Sequence, residues 1–149
     1  MKNLYEGSTV KEILARIETL QPDTQRLWGT MSVSQMLAHC SIGMEVTMGR
    51  KNPPRLLIGR LLSPFLKKTY YDPNPFRRNS PTAEMFIVKG EPDFEIEKER
   101  LKALIQEFAD HGPAGCTTHP HAFFGNFSPE QWSIASYKHL DHHLRQFGA

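Results

Sequence analysis

A chain of 149 residues, 39% hydrophobic and 23% charged, is long enough to bury one core and needs no second domain, so a single domain over residues 1–149 is expected. Its net charge of +2 is made of interspersed signs rather than a basic stripe, which points away from nucleic acid and from an anionic membrane. Two cysteines, Cys40 and Cys116, exclude a disulfide framework, and no apolar leader with a small-residue cleavage site follows Met1, so a reducing cytoplasm is the expected setting.

Taken in chain order, Thr9 and Glu12 have the spacing of a capping box, and Val10, Ile13, Leu14, Ile17 and Leu20 then recur at helical spacing until Pro22. A first helix over residues 9–20 is predicted. Ser32 and Gln35 give a second start signal, followed by an apolar stripe of Val33, Met36, Leu37, Cys40 and Met44 that ends near Gly49, with His39 in its middle. Pro53 and Pro54 open a third apolar stretch, Leu56 to Leu66, read as a helix bent or shortened by Pro64. Broken by Arg60 and Pro64, it is far shorter than the ~20 apolar residues a membrane span needs.

From Tyr70 to Pro92 no period is sustained, and the prolines suggest a long ordered crossover packed by Phe76, Met85, Phe86 and Ile87. A fourth helix is predicted over Asp93 to Asp110, with Phe94, Leu101, Leu104, Ile105 and Phe108 inward and Glu95, Glu97, Lys98, Glu99 and Arg100 in water. Gly112 and Pro113 stop it. Residues 111–127 read as a loop over the mouth of the fold, after which Ser128, Pro129 and Glu130 start a last helix carrying Trp132, Tyr137, His139, His143 and Phe147. Trp28 and Trp132 read as core anchors at one end. Without β alternation or repeats, an all-α fold follows: a helix bundle with a long crossover connection and an extra short helix or loop.

The chemistry gathers in YKHLDHHLRQF, residues 137–147. His143 lies one turn from His139 and about 40° round the helix, so both imidazoles can reach one metal ion. His142, about 60° to the other side of His139, offers a competing i, i+3 pair. A third ligand must come from elsewhere, and His39, polar on an apolar face, is the best candidate. Three buried rings left without a common partner would cost roughly 1–3 kcal/mol each, and shared coordination removes that cost. Three neutral imidazoles leave an open position, the catalytic pattern for zinc, with nickel, iron or cobalt also compatible.

Gln35 precedes His39 by four residues and Gln146 follows His143 by three, so both amides point toward the ligand faces, where they would orient ligands or grip a substrate. Asp141, about 200° from His139, is expected to pair with Lys138 or Arg145 rather than act as a base. Cys116, His119 and His121 form a rival soft-ligand group that lacks a fourth member, and Cys40 reads as a reduced core residue.

The segments WGTMSVSQMLAHC at 28–40 and FSPEQWSIASYKHLDHHLRQFG at 127–148 resemble a family within the DinB/YfiT-like superfamily, with support from RNSPT at 78–82 and DFEIEKERL at the fourth helix. That resemblance implies a four-helix bundle with a long crossover, and a divalent metal held by His39, His139 and His143. It also implies kinship with metal-dependent transferases and isomerases that use low-molecular-weight thiols, with some hydrolase-like members, and dimers are common among them. The family loop usually reads H-P-x-F-G, whereas HPHAFFG here carries extra residues, so either His119 or His121 matches the family histidine.

Two functions from different classes follow as expectations. In the first, the chain is an enzyme in which the metal, zinc or nickel before iron or cobalt, activates water or a small thiol against a small electrophilic substrate. Gln35, Gln146, His142 and His121 would then contact ligands or substrate, and residues 111–127 would be a lid. In the second, it is a non-catalytic, metal-stabilised or stress-related helical bundle that binds small molecules. A homodimer is compatible with either.

Overall fold

The computed structural model describes residues 1–149, apart from the side chain of Arg60. Five α-helices run in the order α1 (Gly7–Glu18), α2 (Val33–Thr47), α3 (Leu57–Leu66), α4 (Phe94–His111) and α5 (Pro129–Gln146). Single 3₁₀ turns occupy Lys67–Tyr70, Glu84–Phe86 and Gly112–Gly115. Among the described residues there is no strand, and His121 and Gly125 form an isolated bridge. Among the described residues, no helix is long and apolar enough to cross a membrane.

The long helices pack pairwise, α2 against α4 and α5, and α1 against α4 and α5. Their facing stripes build one core from Ile13 and Ile17 of α1, Leu37 and Met44 of α2, Leu101, Ile105 and Phe108 of α4, and Leu140 and Leu144 of α5. The inward set expected for α4 is buried as the 3.6-residue period demands. Lys98 departs from it. Its amine reaches under the end of α1 to the carbonyls of Glu18 and Leu20, at 3.2 and 3.3 Å, and to the Glu18 carboxylate, because a lysine stem can be buried when its head finds acceptors.

The caps explain where the helices begin. At Ser32 and at Ser128 the hydroxyl accepts from the backbone N–H three residues on, and the Gln35 or Gln131 amide closes a full capping box. Asp93 accepts from Ile96 N–H at the head of α4. The first helix differs from expectation. It starts at Gly7 with no side-chain cap, and Thr9 sits inside it, donating to the Glu6 carboxylate at 3.1 Å, so the Thr9–Glu12 spacing marks an interior turn.

Helix α3 runs through Pro64 to Leu66 rather than stopping short of it. The 70–92 connection is held mainly by polar anchors: Gln35 donates to the Gly90 carbonyl at 2.7 Å, and Ser32 to Glu91 at 2.7 Å. Met85 and Ile87 stay 38% and 53% exposed, so of the four apolar residues expected to pack this segment only Phe76 and Phe86 are half-buried. The two tryptophans also part company. Trp132 is buried near the start of α5, whereas Trp28 is half-buried beside His142, ten residues or about 15 Å of helix further on.

Replacing Ser128 by Ala should destabilise the fold by about 1 kcal/mol, read by urea denaturation, because the first turn of α5 loses the acceptor for one orphan N–H.

Candidate metal centre

His39 projects from the middle of α2 toward His139 and His143, one turn apart on α5. The ring centroids form a near-equilateral triangle with sides of 4.9, 4.7 and 4.7 Å. One ring nitrogen from each residue lies within 4.8 Å of the others, and the His39 and His139 Nε2 atoms are 2.9 Å apart. His39 and His143 are buried and His139 half-buried. A tetrahedral ion with nitrogens at about 2.0–2.1 Å separates its ligands by roughly 3.3 Å, so the 2.9 Å His39–His139 pair would part slightly and the wider pairs, within 4.8 Å, would close by up to about 1.5 Å on binding.

The outer hydrogen bonds decide which nitrogens are free. Nδ1 of His39 faces the Phe86 carbonyl at 2.9 Å, a pure acceptor, so the proton sits on Nδ1 and Nε2 carries a bare lone pair. Gln146 donates its amide N–H to the Trp28 carbonyl at 2.8 Å, which turns its Oε1 toward Nδ1 of His143, 2.9 Å away. His143 is thereby fixed in the same tautomer. Two lone pairs therefore point into one small space. Without an ion, His139 can satisfy only one of them, by donating its Nε2 proton to His39; with an ion, all three are used.

Burial drives the electrostatics. It holds His139 well below the ordinary imidazole range, with His143 and His39 adding repulsion, and it pushes His143 down to about 3. His39 is lowered by the same desolvation, opposed by its bond to Phe86. All three rings are neutral at pH 7, as nitrogen ligands must be.

Gly43 is a further part of the site. It lies one turn beyond His39, and a Cβ there would meet Nδ1 and Cε1 of His139 at 3.1 Å. Sequence reasoning passed over it, although a glycine inside an apolar helix four residues after a candidate ligand is a signal. The Phe86 carbonyl left no trace of its role in the sequence.

Other expected participants are placed elsewhere. The Gln35 amide is consumed by its capping box and by Gly90, so it does not reach the histidines. His121 accepts at Nδ1 from the Phe123 and Phe124 N–H groups, at 3.1 and 3.2 Å, and packs among Tyr70, Phe124, Phe127 and Trp132, as a keystone of its loop. His119 lies 3.2 Å from the Pro53 carbonyl, and Cys116, His119 and His121 do not converge. Among the described residues, His39, His139 and His143 form the one such group that could hold a metal ion. Cys40 is fully buried and its thiol pKa is raised by desolvation. Asp141 pairs with Arg145, as expected, and also with Arg16 at 2.8 Å. Lys138 instead forms a buried pair with Asp72 at 2.8 Å.

His142 stands at the edge of the centre. Its ring is 5.0 Å from that of His143, 5.8 Å from Trp28 and 6.0 Å from Phe76. Beyond it opens a cavity of about 150 Å³ whose walls include Trp28, Phe76 and His142 together with the charged Arg78, Lys138, Asp141 and Arg145. The Arg78 guanidinium lies over the Trp28 ring at 4.1 Å.

A model of the family described as "Protein of unknown function (DUF1569)" matches residues 5–149. No curated protein and no solved structure matches the chain.

Two outcomes are expected. Gly43→Ala should weaken metal binding about tenfold in a competition titration, because the His139 ring must shift, while helix propensity alone would favour the alanine. The metal-free protein should lose stability as pH falls from 7 to 4, followed by thermal unfolding. The folded pKa of His143 is about 3 and that of His121 about 4, both below the unfolded ~6.5, so the unfolded chain binds more protons throughout that window.

Proposed function

Starting from a chain that belongs to the DUF1569 family, we propose a metal-dependent enzyme in which His39, His139 and His143 hold one divalent ion and leave a position for a small electrophilic substrate. The observation that carries this reading is the pair of fixed tautomers aiming bare Nε2 lone pairs into a shared space. A third neutral imidazole completes a donor set suited to zinc or nickel, and less well to iron or cobalt. When bound, the ion supplies Lewis acidity and makes a water or a low-molecular-weight thiol a better nucleophile at neutral pH. The reaction class is thus hydrolase or thiol S-transferase. We read the packing of α1, α2, α4 and α5 as a DinB/YfiT-like four-helix bundle, with residues 70–92 as its crossover.

The chain's own residues do the positioning. Phe86 and Gln146 hold the ring planes of His39 and His143. Trp28, Phe76 and His142 give the adjoining cavity one ring-lined side, where a flat group would pack, and Arg78, Lys138, Asp141 and Arg145 make the rest of its wall charged. Arg78, which has no ion-pair partner among the described residues, would receive an anionic substituent. The nearest carboxylate on α5, Asp141, is tied between Arg16 and Arg145 and is not a free base.

A second reading, a non-catalytic bundle that the metal merely ties together, is favoured by the commitment of Asp141 to two arginines. In both, the ion links α2 to α5.

Protein made without a polyhistidine tag should carry one equivalent of metal per chain by elemental analysis. His139→Ala should lose it, and His142→Ala should retain it. Turnover of small thiols with electrophiles, abolished by chelation and restored by metal, supports the enzyme, and Arg78→Ala should then raise KM with little change in kcat. A large fall in Tm on chelation with no turnover in that screen would favour the structural role.

A further inference from the structure

The charges around the cavity beside the metal centre do not cancel. Lys138 is answered by Asp72 at 2.8 Å and Arg145 by Asp141 at 2.9 Å, but Asp141 is shared with Arg16 at 2.8 Å, so one carboxylate serves two guanidinium groups. Arg78, exposed at the mouth, has neither an ion-pair partner nor a hydrogen-bond acceptor among the described residues, and its guanidinium carbon lies over the Trp28 ring at 4.1 Å. A guanidinium held over a ring face keeps its in-plane N–H fork for an oxyanion, a geometry that a carboxylate matches. The excess charge is positive and is offered through one fork.

Size and shape narrow the guest. A volume of about 150 Å³ is that at which a protein cavity accepts a single benzene ring, and it cannot enclose a nucleotide or a peptide. His142 meets Trp28 and Phe76 at interplanar angles of 63° and 61°, so these rings are tilted rather than stacked on one another and line one side of the space for a flat group. The same cavity touches Arg78 and His142, and the His142 ring is 5.0 Å from that of His143. A guest that pairs with Arg78 and fills the space has its other end beside the metal ligands.

We propose that the ligand of this cavity is a planar monocarboxylate about one ring in size, its carboxylate paired with Arg78 and its flat body against Trp28, Phe76 and His142. The inference rests on the reading of the cavity as the substrate site and names the substrate class. A cationic guest would face Arg78, and a second carboxylate would find Lys138 and Arg145 already committed. Entry is open to such a guest. Among the described residues, 73–82 make hydrogen bonds only within 72–80, so Phe76 and Arg78 are held by ring contacts to Tyr70 and Trp28 and yield without breaking a backbone anchor.

Calorimetric titration of benzoate into the purified full chain should show millimolar or tighter binding. It should be about tenfold tighter than for benzamide, which lacks the charge, or acetate, which lacks the ring. Arg78→Gln should weaken benzoate about tenfold and leave benzamide unchanged, Arg78→Lys should recover part of the loss, and Arg77→Gln, also exposed but outside the cavity, should change nothing. Inorganic phosphate in excess should not displace benzoate, and chelated protein should bind it as tightly as metal-loaded protein. No benzoate binding, equal binding of benzamide, acetate or phosphate, full affinity in Arg78→Gln, or binding that requires the metal would overturn the proposal. Metal uptake and turnover without this binding would sink the substrate class alone. Arg78-dependent binding by a chain that takes up no metal would sink the enzyme and leave the carboxylate site standing.

Discussion

The contact between His39 and His139, two imidazole nitrogens 2.9 Å apart across the seam of α2 and α5, constrains everything around it. Two lone pairs cannot face each other in a dry interior without a proton or a cation between them. With Nδ1 of His39 committed to a carbonyl, and Nδ1 of His143 to an amide oxygen, one proton on His139 answers only half of the demand. The desolvation that keeps these rings uncharged is also what makes the seam costly when nothing fills it. Stability and ligation are therefore two views of the same arrangement.

Much of the fold could be read from local rules. The Ser32 and Ser128 starts, the Asp93 cap, the Gly112 stop with its φ of 58°, and the buried face of α4 all follow from side chains acting within one turn. Where reading failed, a distant partner had overridden a local cue. Thr9 with Glu12 imitates a cap but lies within the helix, because the chain already turns at Glu6. Lys98 looks solvated until the carbonyls at the end of α1 are brought under it. The aliphatic residues of the 70–92 connection look like packing, yet hydrogen bonds from Ser32, Gln35 and His39 hold that segment to α2.

The same division runs through the site. The i, i+4 histidines are visible because helical geometry alone sets them side by side, and His39 follows from a polar residue on an apolar stripe. Spacing cannot say how an amide is used: Gln35 and Gln146 have equal claims on paper, yet one closes a cap while the other orients His143 and reaches the Trp28 carbonyl. Likewise, His121 belongs to an aromatic cluster that no periodicity describes.

The grip on His39 comes from a backbone oxygen, and the Phe86 ring makes only an edge contact 6.0 Å from the imidazole. Almost any side chain at position 86 would present the same carbonyl. Exchanges of residue type there are thus tolerable, whereas a one-residue insertion or deletion between the 3₁₀ turn at Glu84–Phe86 and the Gly90 anchor would withdraw that oxygen and release the ring to the other tautomer. The centre is in this respect addressed by the length of the 70–92 connection rather than by its spelling.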